Sequence, residues 1–136
     1  MKISEILAAK ETTVSLEVFP PKQWNKLSES KKTVEKLLTY QPDFVSVTYG
    51  AAGTTSGYTA EIAEDILAHG GVPLSHLTCV NSEKSMVREV IDTLEQGGIK
   101  NMWSVNTEPN ATPSKFPSLP GFLVFSILIS IEISPL

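Results

Sequence analysis

One cysteine, Cys79, in a chain of 136 residues excludes an internal disulfide and any metal centre assembled from several thiolates of this chain. That scarcity fits a reducing, cytoplasmic setting, and no metal site is expected. Positive charge is also short: 11 basic residues stand against 15 acidic ones, a net charge of -4. With no basic stripe to follow a phosphate backbone, no nucleic-acid partner is expected. Long apolar runs are missing except near the C-terminus, where residues 121–131 carry no charge. That run is roughly half of the ~20 residues a spanning helix needs, and its flanks hold no basic anchor, so membrane attachment is not expected. At the other end Lys2, Glu5, Lys10 and Glu11 interrupt the apolar residues, unlike a secretory signal, and export is not expected. The triplet Asn110-Ala111-Thr112 matches a glycosylation acceptor, which without export is read as chance.

Hydrophobic residues make up 41% of the chain, enough to bury a core at the length of one ordinary domain. Between residues 12 and 105, short β-branched or apolar runs alternate with longer segments of helical period. The runs at 13–19, 44–48, 73–80 and 99–105 predict four strands. The first is closed by Pro20-Pro21, which cannot continue a ladder. A helix is predicted over 31–40 with Val34, Leu37 and Leu38 on one face, ended by a turn at Gln41-Pro42. A second is predicted over about 59–69 with Ile62, Ile66 and Leu67 inward, after a small-residue loop at 50–57. A third starts at an N-cap Ser82 and carries Met86, Val87, Val90, Ile91 and Leu94. Gly70-Gly71 and Gly97-Gly98 end the last two helices, glycine accepting a left-handed conformation without steric cost.

Four strands and three intervening helices at a spacing of ~30 residues predict an α/β fold of parallel strands with right-handed crossovers. Two architectures fit. An eightfold barrel takes ~250 residues, so this chain supplies about half of one; a small doubly wound sheet closes within the available length. After Val105 the rhythm stops, with Pro109, Pro113, Pro117 and Pro120 followed by the apolar tail. Residues 1–105 are therefore expected to form the α/β unit. Residues 106–136 form a divergent segment, either a truncated or frame-altered end or an additional element with Ser126, Ser130 and Ser134 on one helix surface.

Parallel α/β proteins place ligands at the carboxyl ends of their strands. Those ends carry Glu17, then Thr48 and Tyr49 before the turn Gly50-Ala51-Ala52-Gly53, then His76, Thr78 and Cys79, with Glu108 after the fourth strand. A carboxylate inside an apolar strand is costly to bury unpaired, which favours a functional Glu17 over an edge-exposed charge. His76 reads equally as a satisfied core histidine. Thr48 and Tyr49 could simply end a strand, and the glycine turn lacks the spacing of a dinucleotide or phosphate loop. Cys79 has no neighbouring base and reads as a buried, inert thiol.

The strand motifs resemble those of methylenetetrahydrofolate reductases. Ser15-Leu16-Glu17-Val18-Phe19-Pro20-Pro21-Lys22 is similar to that family's opening strand, Ser-Phe-Glu-Phe-Phe-Pro-Pro-Lys. Pro42-Asp43-Phe44-Val45-Ser46-Val47-Thr48-Tyr49-Gly50-Ala51 resembles the second strand, His76-Leu77-Thr78-Cys79 the third, and Gly98-Ile99-Lys100-Asn101 the approach to the fourth. The motifs occur in the family's order and spacing over residues 1–105. The resemblance implies a partial (β/α)8 TIM barrel of about four βα units that holds FAD at the strand ends. It further implies hydride transfer from NADH or NADPH through the flavin to 5,10-methylenetetrahydrofolate, a step of one-carbon metabolism that serves methionine biosynthesis. Glu17 aligns with the catalytic general acid, and Thr48, Tyr49, Ala51 and His76 align with FAD contacts. A folate substrate follows as the small-molecule partner.

The chain also departs from that pattern. Ala52 replaces a glycine of the family's Gly-Ala-Gly-Gly, and Asn106-Thr107-Glu108 stands where the family has Arg-Gly-Asp. A second expectation is therefore a non-catalytic barrel fragment that self-associates, as a homo-oligomer, through open strand edges and the apolar tail.

Overall fold

The computed structural model describes residues 1–49, 56–79 and 83–105. The order of elements is α1 (Ile3–Ala9), β1 (Ser15–Val18), a single 3-10 turn (Trp24–Lys26), α2 (Leu27–Leu38), β2 (Phe44–Val47), α3 (Ser56–Ala68), β3 (Pro73–Thr78), α4 (Lys84–Gln96) and β4 (Met102–Val105). All three strand pairs are parallel, and the sheet order is β1-β2-β3-β4.

That order decides between the two architectures left open by the sequence. A doubly wound sheet reverses direction at a switch point and carries helices on both faces. Here each strand is followed in space by the next, so right-handed crossovers lay every intervening helix on the same face. This is the winding of a (β/α) barrel, and the described residues comprise four successive strands of one.

Strand parity separates the two faces. In register, Leu16 lies beside Val45 and Val45 beside Pro73, while Val47 lies beside Ser75 and Ser75 beside Met102. These residues turn toward the helices. Of them, Leu16, Val45, Val47 and Met102 join Leu27 and Val34 of α2, Ala60, Ile62, Ala63 and Ile66 of α3, and Leu94 of α4 in one core. β2 and β3 alternate strictly between buried and half-buried positions, so the opposite face is the one a closed barrel would enclose. The β-branched and aliphatic residues of this core are what the period-2 and period-3.6 patterns predict. One predicted inward residue is corrected, since Leu67 is 40% exposed, and Met86 of the α4 apolar set is 51% exposed.

The helix ends explain the glycines. After α3 the Gly71 amide donates to Ile66 O at 2.9 Å and the Gly70 amide to Leu67 O at 3.1 Å, with Gly70 at φ +81°. After α4, Ile99 N donates to Leu94 O and Gly98 N to Glu95 O, with Gly98 at φ +77°. Both are Schellman ends, in which the left-handed residue lets the orphan carbonyls of the last turn find donors. α2 ends differently. Gln41 takes the left-handed position at φ +56°, and Pro42 follows with no amide to donate.

α1 was not predicted, and α2 begins at Leu27 instead of 31. Seven residues are too few for a helix to persist on propensity alone. α1 is held instead by tertiary bonds: Ile3 N donates to Asn101 Oδ1 at 3.0 Å, and Asn101 Nδ2 donates to Met1 O and Pro73 O, each at 3.3 Å. Asn101 precedes β4 and Pro73 opens β3, so this clasp sits at the amino ends of the strands, opposite the rim. The predicted N-cap Ser82 lies outside the described residues; within them Glu83 occupies the cap of α4 without a side-chain bond to the helix backbone. No helix among the described residues is long and apolar enough to cross a membrane.

Candidate active site

Glu17, His76 and Trp103 of β1, β3 and β4, with Thr48 directly after β2, share the face turned away from the helices. Their order across the sheet follows from parity. Glu17 pairs with Ser46, so Thr48 lies one step nearer the carboxyl end of β2 on the same face; Val47 pairs with Ser75, which brings Thr48 beside His76; and His76 pairs directly with Trp103. Sequence spacing alone separates these groups by 27 residues or more, and parallel register joins them into one row.

The row has defined contacts. The Thr48 hydroxyl donates to Glu17 Oε1 at 3.1 Å. His76 Nδ1 stands 3.8 Å from the same oxygen, too long for a hydrogen bond and close enough for electrostatic coupling. On its other side the His76 ring meets Trp103 edge-to-face, with centroids 4.8 Å apart and planes at 84°. The Glu17 and His76 side chains are only 18% and 12% exposed. Burial holds His76 below the ordinary imidazole value of 6.5, an effect that the nearby Glu17 carboxylate opposes. The end of β2 is anchored from behind, because the buried Thr59 of α3 donates its hydroxyl to Thr48 O at 3.1 Å.

The expected site residues divide clearly. Glu17, Thr48 and His76 are brought together. Tyr49, of opposite parity, packs its side chain against the helix-side core, leaving its backbone at the rim. Cys79 also packs against that core, and burial pushes its thiol up, away from the nucleophilic thiolate. His76, Leu74 and Thr78 share the open face while Leu77 is buried on the other, as strand alternation requires. Ala51 and Glu108 lie outside the described residues. Sequence reading missed Thr59 and Trp103. Trp103 carried no signal in the sequence, because its pairing with His76 is set by the register of β3 and β4. Away from the rim, at the α2–α3 contact, Glu35, Asp65 and His69 each place one ligand atom within 4.8 Å of the others, with Glu35 and His69 exposed.

Sequentially wound parallel βα units, with a carboxylate, hydroxyl and imidazole gathered at the strand ends, place the chain in the (β/α)-barrel class, in which ligands are met at the carboxyl rim. The family model described as methylenetetrahydrofolate reductase matches residues 2–122, and the chain belongs to that family. The match continues past residue 105, where the motif likeness ends. Among relatives, a "Probable methylenetetrahydrofolate reductase (NADH)" of Oryza sativa subsp. japonica is 31% identical over 121 residues, covering 88% of this chain and 20% of its own. "Methylenetetrahydrofolate reductase (NADH) 1" of Arabidopsis thaliana is 30% identical with the same coverage. The "5,10-methylenetetrahydrofolate reductase" of Pectobacterium carotovorum subsp. carotovorum is 31% identical over 90 residues, 65% of this chain and 30% of that protein. The chain spans about a fifth of the length of the plant relatives it matches.

Proposed function

We propose that this chain is the N-terminal part of a methylenetetrahydrofolate reductase barrel, with Glu17 as the proton donor to the folate. The observation that carries the reading is the Glu17 carboxyl group itself, half-buried at the end of β1 on the barrel's inner face with the Thr48 hydroxyl on Oε1. A carboxyl group on the inner face of a partly buried, polar rim is placed to meet a bound substrate and act on it as a general acid. Protonation of the folate ring nitrogen opens the five-membered ring to an iminium, the electrophile that a hydride then reduces. Thr48 orients the acid by occupying one oxygen.

FAD is the cofactor this reading requires, with NADH or NADPH as donor. The residues present fit one edge of such a group. Thr48 and His76 stand adjacent on the open face, where a hydroxyl and an imidazole can meet carbonyl and phosphate oxygens, and Tyr49, with its ring turned to the core, would contribute its backbone. Ala51 completes the proposed set. When bound, the flavin supplies two-electron transfer between the nicotinamide and the folate. The setting we propose is cytoplasmic one-carbon metabolism feeding methionine synthesis. We further propose that residues 1–105 form the barrel half and 106–136 a divergent segment.

The test joins residues 1–105 to the remaining strands of a relative and compares the two half-reactions in Glu17→Gln. Flavin bleaching by NADH should stay nearly intact while reduction of methylenetetrahydrofolate is largely lost. Equal loss in both sinks the assignment.

A second reading is supported by the sheet's two outer strands. Among the described residues β1 and β4 each pair on one side only, and an open parallel edge favours association with another chain. On that reading the 136-residue chain elutes as an oligomer and retains no stoichiometric FAD after gel filtration; a yellow monomer that oxidises NADH refutes it.

A further inference from the structure

We infer that Trp103 is a positioning residue for the proton donor: its indole packs against the His76 imidazole from β4 and fixes that ring, Nδ1 toward Glu17, closed from solvent on its β4 side. The inference rests on the reading of Glu17 as the acid.

The geometry needs all four strands. His76 and Trp103 are direct register partners, so their side chains leave the sheet side by side and on the same face. Their edge-to-face contact, at 4.8 Å and 84°, is an arrangement in which a ring edge meets the quadrupole of a ring face. The contact fills the imidazole's flank away from Glu17, and with Thr48 on the β2 side the ring is bracketed. It is only 12% exposed. The groups facing it are Glu17 from β1, the uncharged Thr48 and Ser46 from β2, and Trp103 from β4. Among the described residues Glu17 is the charged group that acts on it, while Tyr49 and Cys79 turn to the helix side.

This bracket matters because His76 Nδ1 stands 3.8 Å from Glu17 Oε1, so a proton gained by the imidazole would place a positive charge beside the proposed acid. A proton donor needs its proton at the moment of transfer. By keeping water from the imidazole, Trp103 disfavours the imidazolium, so the group beside Glu17 stays uncharged. Burial already depresses His76 in the direction this role requires.

The chain has two tryptophans and two histidines, which makes the inference testable without turnover. In Trp24→Phe, Trp103 is the sole indole, and its fluorescence should fall on acidification as His76 protonates, with one midpoint below 6.5 that coincides with the His76 imidazole NMR titration. His76→Gln should abolish that fluorescence step. Trp103→Ala should move the His76 midpoint upward, and Trp103→Phe should leave it near the parent value, because a ring still brackets the imidazole. A flat fluorescence profile in folded Trp24→Phe overturns the contact, and an unmoved midpoint in folded Trp103→Ala overturns the role. If Trp103→Ala does not fold, the fluorescence step and the Trp103→Phe midpoint decide: a step that survives His76→Gln, or a midpoint that rises in Trp103→Phe, refutes the inference. These readouts are independent of folate reduction. Failure here leaves the Glu17 assignment standing, and failure of the Glu17→Gln half-reaction leaves the bracket standing.

Discussion

Thr48 donates its hydroxyl to Glu17 Oε1 across 3.1 Å, so that the second strand holds the carboxyl group of the first. A partly buried hydrogen bond to an ionisable group is worth about 1.5 kcal/mol, or roughly tenfold in a rate that depends on it. In the completed barrel, Thr48→Val should lower folate reduction about tenfold, and Thr48→Ser should restore most of it. Comparable rates in Thr48→Val and the parent would show that the bond does not orient the acid.

Asn101 satisfies three backbone groups from two distant segments while itself only 7% exposed. Asn101→Ala leaves Ile3 N, Met1 O and Pro73 O without that partner, and should cost about 2–3 kcal/mol in urea denaturation. The loss should be local as well as global. Amide exchange in α1 should accelerate before that of α3, and unchanged α1 protection would contradict the clasp.

The left-handed helix ends predict opposite signs at two positions. Gln41→Gly should stabilise by up to about 1 kcal/mol, because a residue with a Cβ is strained at φ +56°. Gly98→Ala should destabilise by about 1 kcal/mol for the same reason at φ +77°, although the added Cβ would meet no atom nearer than Leu67 Cδ2 at 3.4 Å. Thermal melts of both variants check the pair, and a destabilised Gln41→Gly would refute the strain argument.

His76 binds its proton less readily in the folded protein than in the unfolded chain, where the ordinary value is 6.5. Between the depressed folded value and 6.5 the unfolded state therefore carries more protons, and stability rises with pH there by at most about 1.4 kcal/mol per pH unit. The contribution is complete above 6.5 and is lost as pH falls through that window. His76→Gln should flatten this part of the stability profile; an unchanged slope would mean that His76 is not the group responsible.

How much was legible in the sequence depended on the range of the interaction. Val45, Val47, Ile62 and Ile66 announce their elements because burial follows local period, and Gly70 and Gly98 announce helix ends because the left-handed conformation is a property of a single residue. Parity already assigned His76, Leu74 and Thr78 to one face. α1 was invisible because its stability comes from Asn101, nearly a hundred residues away.

The alternation of strand and helix, the four strand positions, the likeness to methylenetetrahydrofolate reductases and the identity of Glu17 and His76 as candidates were all determined by the sequence alone. Each depends on local period or on side-chain chemistry. Tertiary structure decided the rest: that the strands lie in sequential order and so wind as a barrel, that Thr48 bonds Glu17 while Tyr49 turns to the core, and that Trp103 brackets His76. Register between parallel strands sets these contacts. It is fixed by which apolar side chains pack together across the sheet, and no segment read by itself contains that information.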